Sequence, residues 1–309
     1  MIYVLSCSQP MPIYDVIIIG GGPAGLSAAL VLGRCRRSVL VFDSEQYRNA
    51  PSHALHGFLS RDGLPPQELL QIGREQLRPY GVEFRFSRVI DAQRVESIFE
   101  ITARTGESVR SRKLLLATGI VDSLPEVEGF SQLYGVSAFH CPYCDGWENR
   151  DKRIIAYAKD SSAPTYALTL RPYTANLILC TDGPANFPAE ARARLARNHI
   201  LVVENPIARF NSTEGKLEQV VFADGSAIEG DVLFFHLGQK QRSDLAAHLG
   251  CKVSNKEGAS AGELCETEIP GLYIAGDATR DVQQVVVAAA EGATAAFAIN
   301  TALRDEDHI

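Results

Sequence analysis

Two groups of residues in this 309-residue chain carry chemistry at recognisable spacing. The first is His140-Cys141-Pro142-Tyr143-Cys144-Asp145. Two thiols three positions apart can close a short disulfide at a helix N-terminus, where the partial positive charge also lowers a thiol pKa. Pro142 suits the first position of such a helix. Two other uses of the pair are open. A zinc site needs a second Cys/His pair at ligand spacing, and two buried cysteines can simply be inert. The remaining cysteines, Cys7, Cys35, Cys180, Cys251 and Cys265, stand singly, which favours the redox use.

The second group is Gly20-Gly21-Gly22-Pro23-Ala24-Gly25, directly after the apolar run that ends at Ile19 and before LSAALVL, Leu26 to Leu32. Strand, glycine turn and helix follow one another in the order of a dinucleotide fingerprint. Gly20 allows the tight turn, Gly22 lets the backbone approach a pyrophosphate, and Gly25 lets the helix lie close on the strand. The helix N-terminus then presents free N–H groups to the phosphates. Asp43 ends the next strand, Ser38 to Phe42, where a ribose hydroxyl would be held.

Composition supports packed cores and excludes pervasive disorder. Hydrophobic residues make up 46% and charged residues 22%, and the length suits two domains. The net charge of -7 gives no basic footprint for nucleic acid. Seven cysteines are too few for a disulfide scaffold. Val16 to Gly33 is the longest uncharged stretch near the N-terminus, and Gly20-Gly21-Gly22-Pro23 would break a spanning helix there, so no membrane partner is expected. Residues 1–10 lack the basic and apolar regions of a signal peptide, and the expected compartment is the cytoplasm.

Further elements follow from pattern. Pro65 to Tyr80 reads as a helix stopped by Gly81, residues 82–118 as a small antiparallel meander attached to the sheet that carries the glycine turn, and residues 188–198 as a helix. Strands are expected at 200–204, 217–223 and 231–235, with a hinge near Leu237-Gly238-Gln239. The charged tail Arg304 to Ile309 is expected to be mobile, with His308 able to reach a neighbouring site.

Two more strands end in small-residue turns: Lys113 to Gly119, through Ala117-Thr118-Gly119, and Gly271 to Asp277. Gln283-Gln284 and a small-residue helix follow the second. At these residues, with the GGGPAG start, the loop Arg48-Asn49-Ala50-Pro51 through His56-Gly57-Phe58-Leu59, and CPYCD, the chain resembles the low-molecular-weight thioredoxin reductase family over nearly its whole length. The resemblance implies two Rossmann-like three-layer α/β domains. An FAD domain of residues 1–120 and 240–309 would be interrupted by a redox-disulfide domain of residues 121–239. It implies FAD held by Gly20, Gly22, Pro23, Ala24, Gly25, Asp43, Arg48, Asn49, Thr118, Gly119, Gly276, Asp277 and Gln284. Asp277 would bind the ribityl chain, and Gln284 would lie at the flavin ring on a helix N-terminus. Cys144 would face the flavin, Cys141 would exchange with the partner, and Asp145 would move the proton of the departing thiol. Asp145 as an ordinary helix-start acid stays open, as does His140 as a tuning or a purely structural residue. A homodimer and a thioredoxin-like protein or small dithiol or disulfide partner are also implied.

The chain departs from the family where a second fingerprint should hold NADPH. The strand Lys152 to Tyr157 leads into Ala158-Lys159-Asp160-Ser161-Ser162-Ala163-Pro164, which has no glycine. The strand Asn176 to Cys180 leads into Thr181-Asp182-Gly183-Pro184 instead of arginines for a 2′-phosphate. Side chains obstruct the pyrophosphate and Asp160 repels it, so NADPH is not expected to bind. Relatives of thioredoxin reductase without these motifs look similar, as do FAD-dependent dithiol oxidases that close disulfides in small molecules such as gliotoxin and holomycin. The expected function is FAD-dependent thiol–disulfide exchange, with electrons from a ferredoxin or another flavoprotein. The alternatives are a dithiol oxidase using oxygen, a weakly NAD(P)H-dependent reductase with Asp182 on the ribose, and a flavin-binding sensor without turnover.

Overall fold

A computed structural model describes residues 12–252, 259, 261–279 and 282–308. Residues 1–10, with Cys7 and the signal-peptide expectation, lie outside them. The chain divides into two units: residues 1–48, 67–121 and 241–309, and residues 49–66 and 122–240. The segment 49–66 therefore groups with the second unit, apart from its neighbours in sequence.

The first unit is built on one seven-stranded sheet. Its strands are β1 (Ile13–Ile19), β2 (Val39–Phe42), β3 (Glu83–Arg85), β4 (Val89–Val95), β5 (Ile98–Ala103), β6 (Ser108–Leu116) and β17 (Leu272–Ile274). The order is β3-β2-β1-β6-β5-β4, with β17 also on β6. β6 is long enough to use one edge twice. Its first half pairs antiparallel with β5, and Leu114 to Leu116 pair parallel with β17. β4, β5 and β6 form the expected antiparallel meander, attached to the parallel sheet where β6 pairs with β1, whereas β3 pairs parallel with β2 and lies outside it. Val16, Ile17, Ile18, Leu40 and Val41 are fully buried, which explains their unbroken apolar run, since a parallel sheet is covered on both faces.

Two helices of small residues cover one face: α1 (Pro23–Arg34) and α8 (Val285–Asp307). A Cβ on Gly292 of α8 would collide with the carbonyl of Ala24, so the two helices touch backbone to backbone there. Among the described residues α8 alone is long and apolar enough to cross a membrane, a length and composition that core helices share. Here its inner face, Ala288, Ala295, Ala296, Ile299 and Leu303, is buried in the core with α1. α2 (Pro66–Leu77) occupies the expected span, and Gly81 behind it is left-handed at φ 68°. The tail is not a loose end. α8 continues to Asp307, which pairs with Arg37 at 2.6 Å and with Arg112 at 2.8 Å, and Glu306 meets the buried Lys113. These pairs offset the fraying a charged terminus would show; His308 is exposed just beyond them.

The second unit carries a five-stranded sheet of β8 (Ala138–Phe139), β9 (Ile154–Ala158), β10 (Leu177–Cys180), β11 (Leu201–Val203) and β15 (Val232–His236), in the order β11-β10-β9-β15-β8. All its pairings are parallel. A three-stranded antiparallel sheet, β12 (Ile207–Thr213), β13 (Lys216–Phe222) and β14 (Ala227–Glu229), covers one face through Phe210, Val220 and Phe222. The helices α5 (Ala163–Leu170) and α6 (Ala189–Arg197) cover the other. The short helices α3 (Phe130–Leu133), α4 (Pro142–Asp145) and α7 (Leu245–His248) complete the set. β7 (Ile120–Asp122) and β16 (Gln239–Gln241), the two chain crossings, form a two-stranded sheet at the expected hinge. Both units thus carry a parallel sheet of the dinucleotide-binding type, the α/β class the sequence implies.

Candidate functional site

The glycine turn of the first unit is built as its residue types require. Gly20 stands at φ 116°, and its N–H donates to the Phe42 carbonyl at 2.8 Å. A Cβ there would strike the Ala117 carbonyl, and one on Gly25 would strike the Gly20 carbonyl. Gly22 differs: a Cβ on it would meet nothing within 4 Å. It is the N-cap of α1, no side chain caps that helix end, and Pro23 takes the first turn. Gly22 therefore faces open space beside uncapped backbone N–H groups, as a phosphate cradle needs. Gly21, which the fingerprint leaves unassigned, lies against the Asp43 carboxylate.

Asp43 is 2% exposed. It accepts the Glu45 N–H at 2.9 Å and the Tyr47 hydroxyl at 2.5 Å, with Arg74 of α2 at 3.7 Å. Burial and this hydrogen bond push the Tyr47 phenol well above its ordinary range. Sequence pattern missed Tyr47 and Arg74 as the groups that hold Asp43. Thr118 and left-handed Gly119 follow β6, and the Gly119 carbonyl accepts the Arg242 N–H at 3.1 Å. Gly276 is left-handed too, and its N–H donates to Glu291 of α8 at 2.8 Å. Asp277 pairs with Arg48 at 3.1 Å, and Arg48 donates to Gln283 at 2.8 Å. Gln284 is the N-cap of the long helix α8. Asn49 falls with the second unit and Arg48 with the first. The open Gly22 face, uncapped α1, buried Asp43 and the Arg48–Asp277 pair fit an elongated nucleotide carrying phosphates and hydroxyls, such as FAD.

In the second unit Cys141 and Cys144 are joined in a disulfide, with Cα atoms 5.3 Å apart. Cys141 is the N-cap of α4 and Pro142 its first residue. α4 is one turn only, so the dipole expected to lower a thiol pKa is much smaller here than a long helix would supply. Tyr166 of α5, buried, places its hydroxyl 3.1 Å from the carbonyls of His140 and Phe235, which anchors the residue before Cys141. The His140 ring lies 3.7 Å from the Asp122 carboxylate. Tyr143 and Trp147 are exposed on either side of Cys144 in sequence, and Arg150 stacks over Trp147 at 4.2 Å.

Asp145 has the environment of a proton carrier. Burial pushes its carboxyl up to about 7, the neighbouring Glu148 carboxylate adds to the rise, and His56 opposes it. A carboxyl that titrates near neutral pH can both give and take a proton there. Glu148 stands three residues on, the spacing that brings side chains together on a helical turn. That spacing is the one signal by which sequence reading would have found it.

The glycine-free turn after β9 is closed by its own side chains. Ser162 donates its N–H and its hydroxyl to Asp160, at 2.9 and 2.5 Å. Lys159 reaches Asp182, just past β10, at 2.5 Å. Asp182 also accepts the Tyr157 hydroxyl at 2.8 Å and the Ile207 N–H at 2.6 Å. These donors hold its carboxyl below the ordinary range against the cost of burial.

The profile of the pyridine nucleotide-disulphide oxidoreductase family matches residues 14–160 and 174–292. The chain belongs to this family. Within the family it is similar to the thioredoxin reductase tcpT of Claviceps purpurea, 31% identical over 280 residues that span 86% of each protein. Among solved structures it resembles a putative thioredoxin reductase TrxB from Bacillus anthracis, with a TM-score of 0.90, 30% identity and coverage of 95% of this chain and 99% of that one. It also resembles HlmI, with a TM-score of 0.92, 33% identity and coverage of 96% and 94%. As a member of this family the protein is a thioredoxin reductase-like flavin disulfide oxidoreductase.

Proposed function

We propose that this oxidoreductase moves two electrons between FAD and a thiol partner through Cys141 and Cys144, without a nicotinamide cofactor of its own. The Lys159–Asp182 pair carries the second half of this reading. In a dinucleotide fold the turn after the first strand lies open to the pyrophosphate, and the residue after the second strand holds the ribose or its phosphate. Here a cation from the first position neutralises an acid at the second, and both are committed to each other. The family match itself stops at Asp160, within this turn, and resumes at Thr174.

Bound FAD supplies the two-electron acceptor or donor. The chain does the rest. A thiolate of a dithiol partner attacks Cys141 Sγ, the Cys141–Cys144 bond breaks, and Cys144 leaves as a thiolate that takes its proton from Asp145. The partner's second thiolate then attacks the partner sulfur of the mixed disulfide and releases Cys141. The pair has gained two electrons, and the partner has become a disulfide. Run backwards, the same steps reduce a partner disulfide, and relative potentials decide the direction. The relatives named thioredoxin reductase support a thioredoxin-like protein as that partner. With the second nucleotide turn closed, a donor such as a ferredoxin or another flavoprotein supplies the electrons.

The same closed turn favours a second reading, oxidation of small dithiols with oxygen as the final acceptor, because a dithiol is then the reductant at hand. Anaerobic mixing of the yellow protein with NADPH tests the shared claim: no bleaching on the turnover timescale is expected, and rapid bleaching overturns it. Transfer from photoreduced enzyme to oxidised thioredoxin supports the first reading, and oxygen uptake with small dithiols the second.

A further inference from the structure

Beside the redox pair stands a cluster that neither thiol exchange nor cofactor binding has yet used. His56 lies between two carboxylates, with Nδ1 3.5 Å from Asp62 and Nε2 3.6 Å from Glu148. The loop that carries it is tied shut at its base. The Leu55 N–H donates to Leu64 at 2.8 Å and the Gly63 N–H donates to Leu55 at 2.9 Å. Within it Asp62 accepts the Gly57 N–H at 2.8 Å, so the carboxylate on the Nδ1 side is fixed by backbone. Gly57 and Ser60 are left-handed, which makes the turn tight enough to bring Asp62 back to His56.

We propose that His56 is a positioning residue for thiol–disulfide exchange: held between Asp62 and Glu148, it compensates the Glu148 carboxylate that stands beside the proton-carrying Asp145. The inference rests on the reading of Asp145 as the group that serves the departing thiol.

The charges around Asp145 can be enumerated. From its own segment Glu148 is an anion and raises its proton affinity. From the loop His56 opposes that, and Asp62 lies on the far side of the ring. From α5 comes Tyr166, a buried phenol that burial holds neutral. The paired sulfurs carry no charge while joined. Among the described residues Glu148 and His56 are thus the charges that act on Asp145 with opposite sign. At 3.5 to 3.6 Å the ring contacts are too long for good hydrogen bonds, so it is as through-space charge that the ring, when protonated, acts on the two carboxylates.

The test follows the anaerobic reduction of the holoenzyme by dithiothreitol, read as flavin bleaching, from about pH 5 to pH 9. The wild type is expected to show an inflection near 7. His56→Gln leaves Glu148 uncompensated and moves the inflection up by about 0.5 unit, a roughly threefold change in the ratio of protonated to ionised carboxyl at a given pH. Glu148→Gln moves it down by a similar amount, and the double variant returns it close to the wild type, as two opposed charges whose effects add require. A merely structural role lowers the rate at every pH and leaves the inflection in place. Unmoved inflections, or two shifts in the same direction, overturn the proposal. If His56→Gln does not fold, an unmoved or upward inflection in Glu148→Gln overturns it alone. Absence of bleaching in the wild type at any pH instead overturns the parent reading of flavin-linked exchange.

Discussion

The ammonium of Lys159 lies 2.5 Å from the carboxylate of Asp182, which joins the turn after β9 to the turn after β10. In a nucleotide-binding fold those two turns face the same ligand from two sides. Here they face each other.

The pair also supports the unit that contains it. Asp182→Ala leaves the Tyr157 hydroxyl and the Ile207 N–H without their acceptor. The expected loss is about 2 kcal/mol in chemical denaturation at neutral pH. Because the folded-state pKa of Asp182 lies below its ordinary value, its contribution is complete above about pH 4 and fades as pH falls through the lowered value. The gap between variant and wild type should therefore close in acid. The variant should still fail to bleach with NADPH, since the turn after β9 keeps its side chains.

Two glycines of one turn should separate folding from cofactor binding. Gly25→Ala puts a Cβ into the Gly20 carbonyl, so the first unit is expected to lose several kcal/mol or fail to fold. Gly22→Ala meets no atom of the chain and leaves folding intact. Its methyl group enters the space for phosphate, and flavin retention after dialysis should drop. Measuring the Tm of the colourless form and the flavin content of each purified variant reads the contrast. A Gly22→Ala protein with full flavin content argues against the proposed cradle.

Asp145 makes a stability statement as well as a catalytic one. Its folded-state value of about 7 is above the ordinary 3.8, so unfolding releases a proton between these limits. Stability from this group then falls as pH rises from about 4 to 7, by about 2 kcal/mol after discount for partial exposure. Asp145→Asn does not titrate there. Its Tm relative to the wild type should climb across that interval, while its exchange rate drops by roughly 10²-fold. A parallel pair of Tm curves contradicts the burial account.

Cys141→Ser and Cys144→Ser should each stop exchange with dithiols while the protein stays yellow, because both sulfurs lie in the second unit and the glycine cradle in the first. Turnover that survives either change, measured by bleaching and by oxygen uptake, would leave the pair without its redox role.

How much of this was legible in the chain follows from distance along it. The spacing Gly20, Gly22 and Gly25, the apolar run before them and the Cys141–Cys144 pair each lie within one turn or one strand, where covalent geometry relates the residues directly. Sequence could therefore assign them to a nucleotide turn and a redox pair, and could note that the turn after β9 lacks glycine. It could not show that Gly21 is pressed on Asp43, that Gly292 meets α1, or that β6 spends one edge on two partners. Nor could it bring Lys159 to Asp182, or His56 to Glu148, 92 positions away in the chain. The charged tail read as mobile because its partners Arg37 and Arg112 stand far back in sequence. Local spacing determines which chemistry a segment can offer. Only tertiary packing decides which charges that chemistry meets, because Coulomb and hydrogen-bond energies depend on separation in space, and the folded chain alone sets that separation.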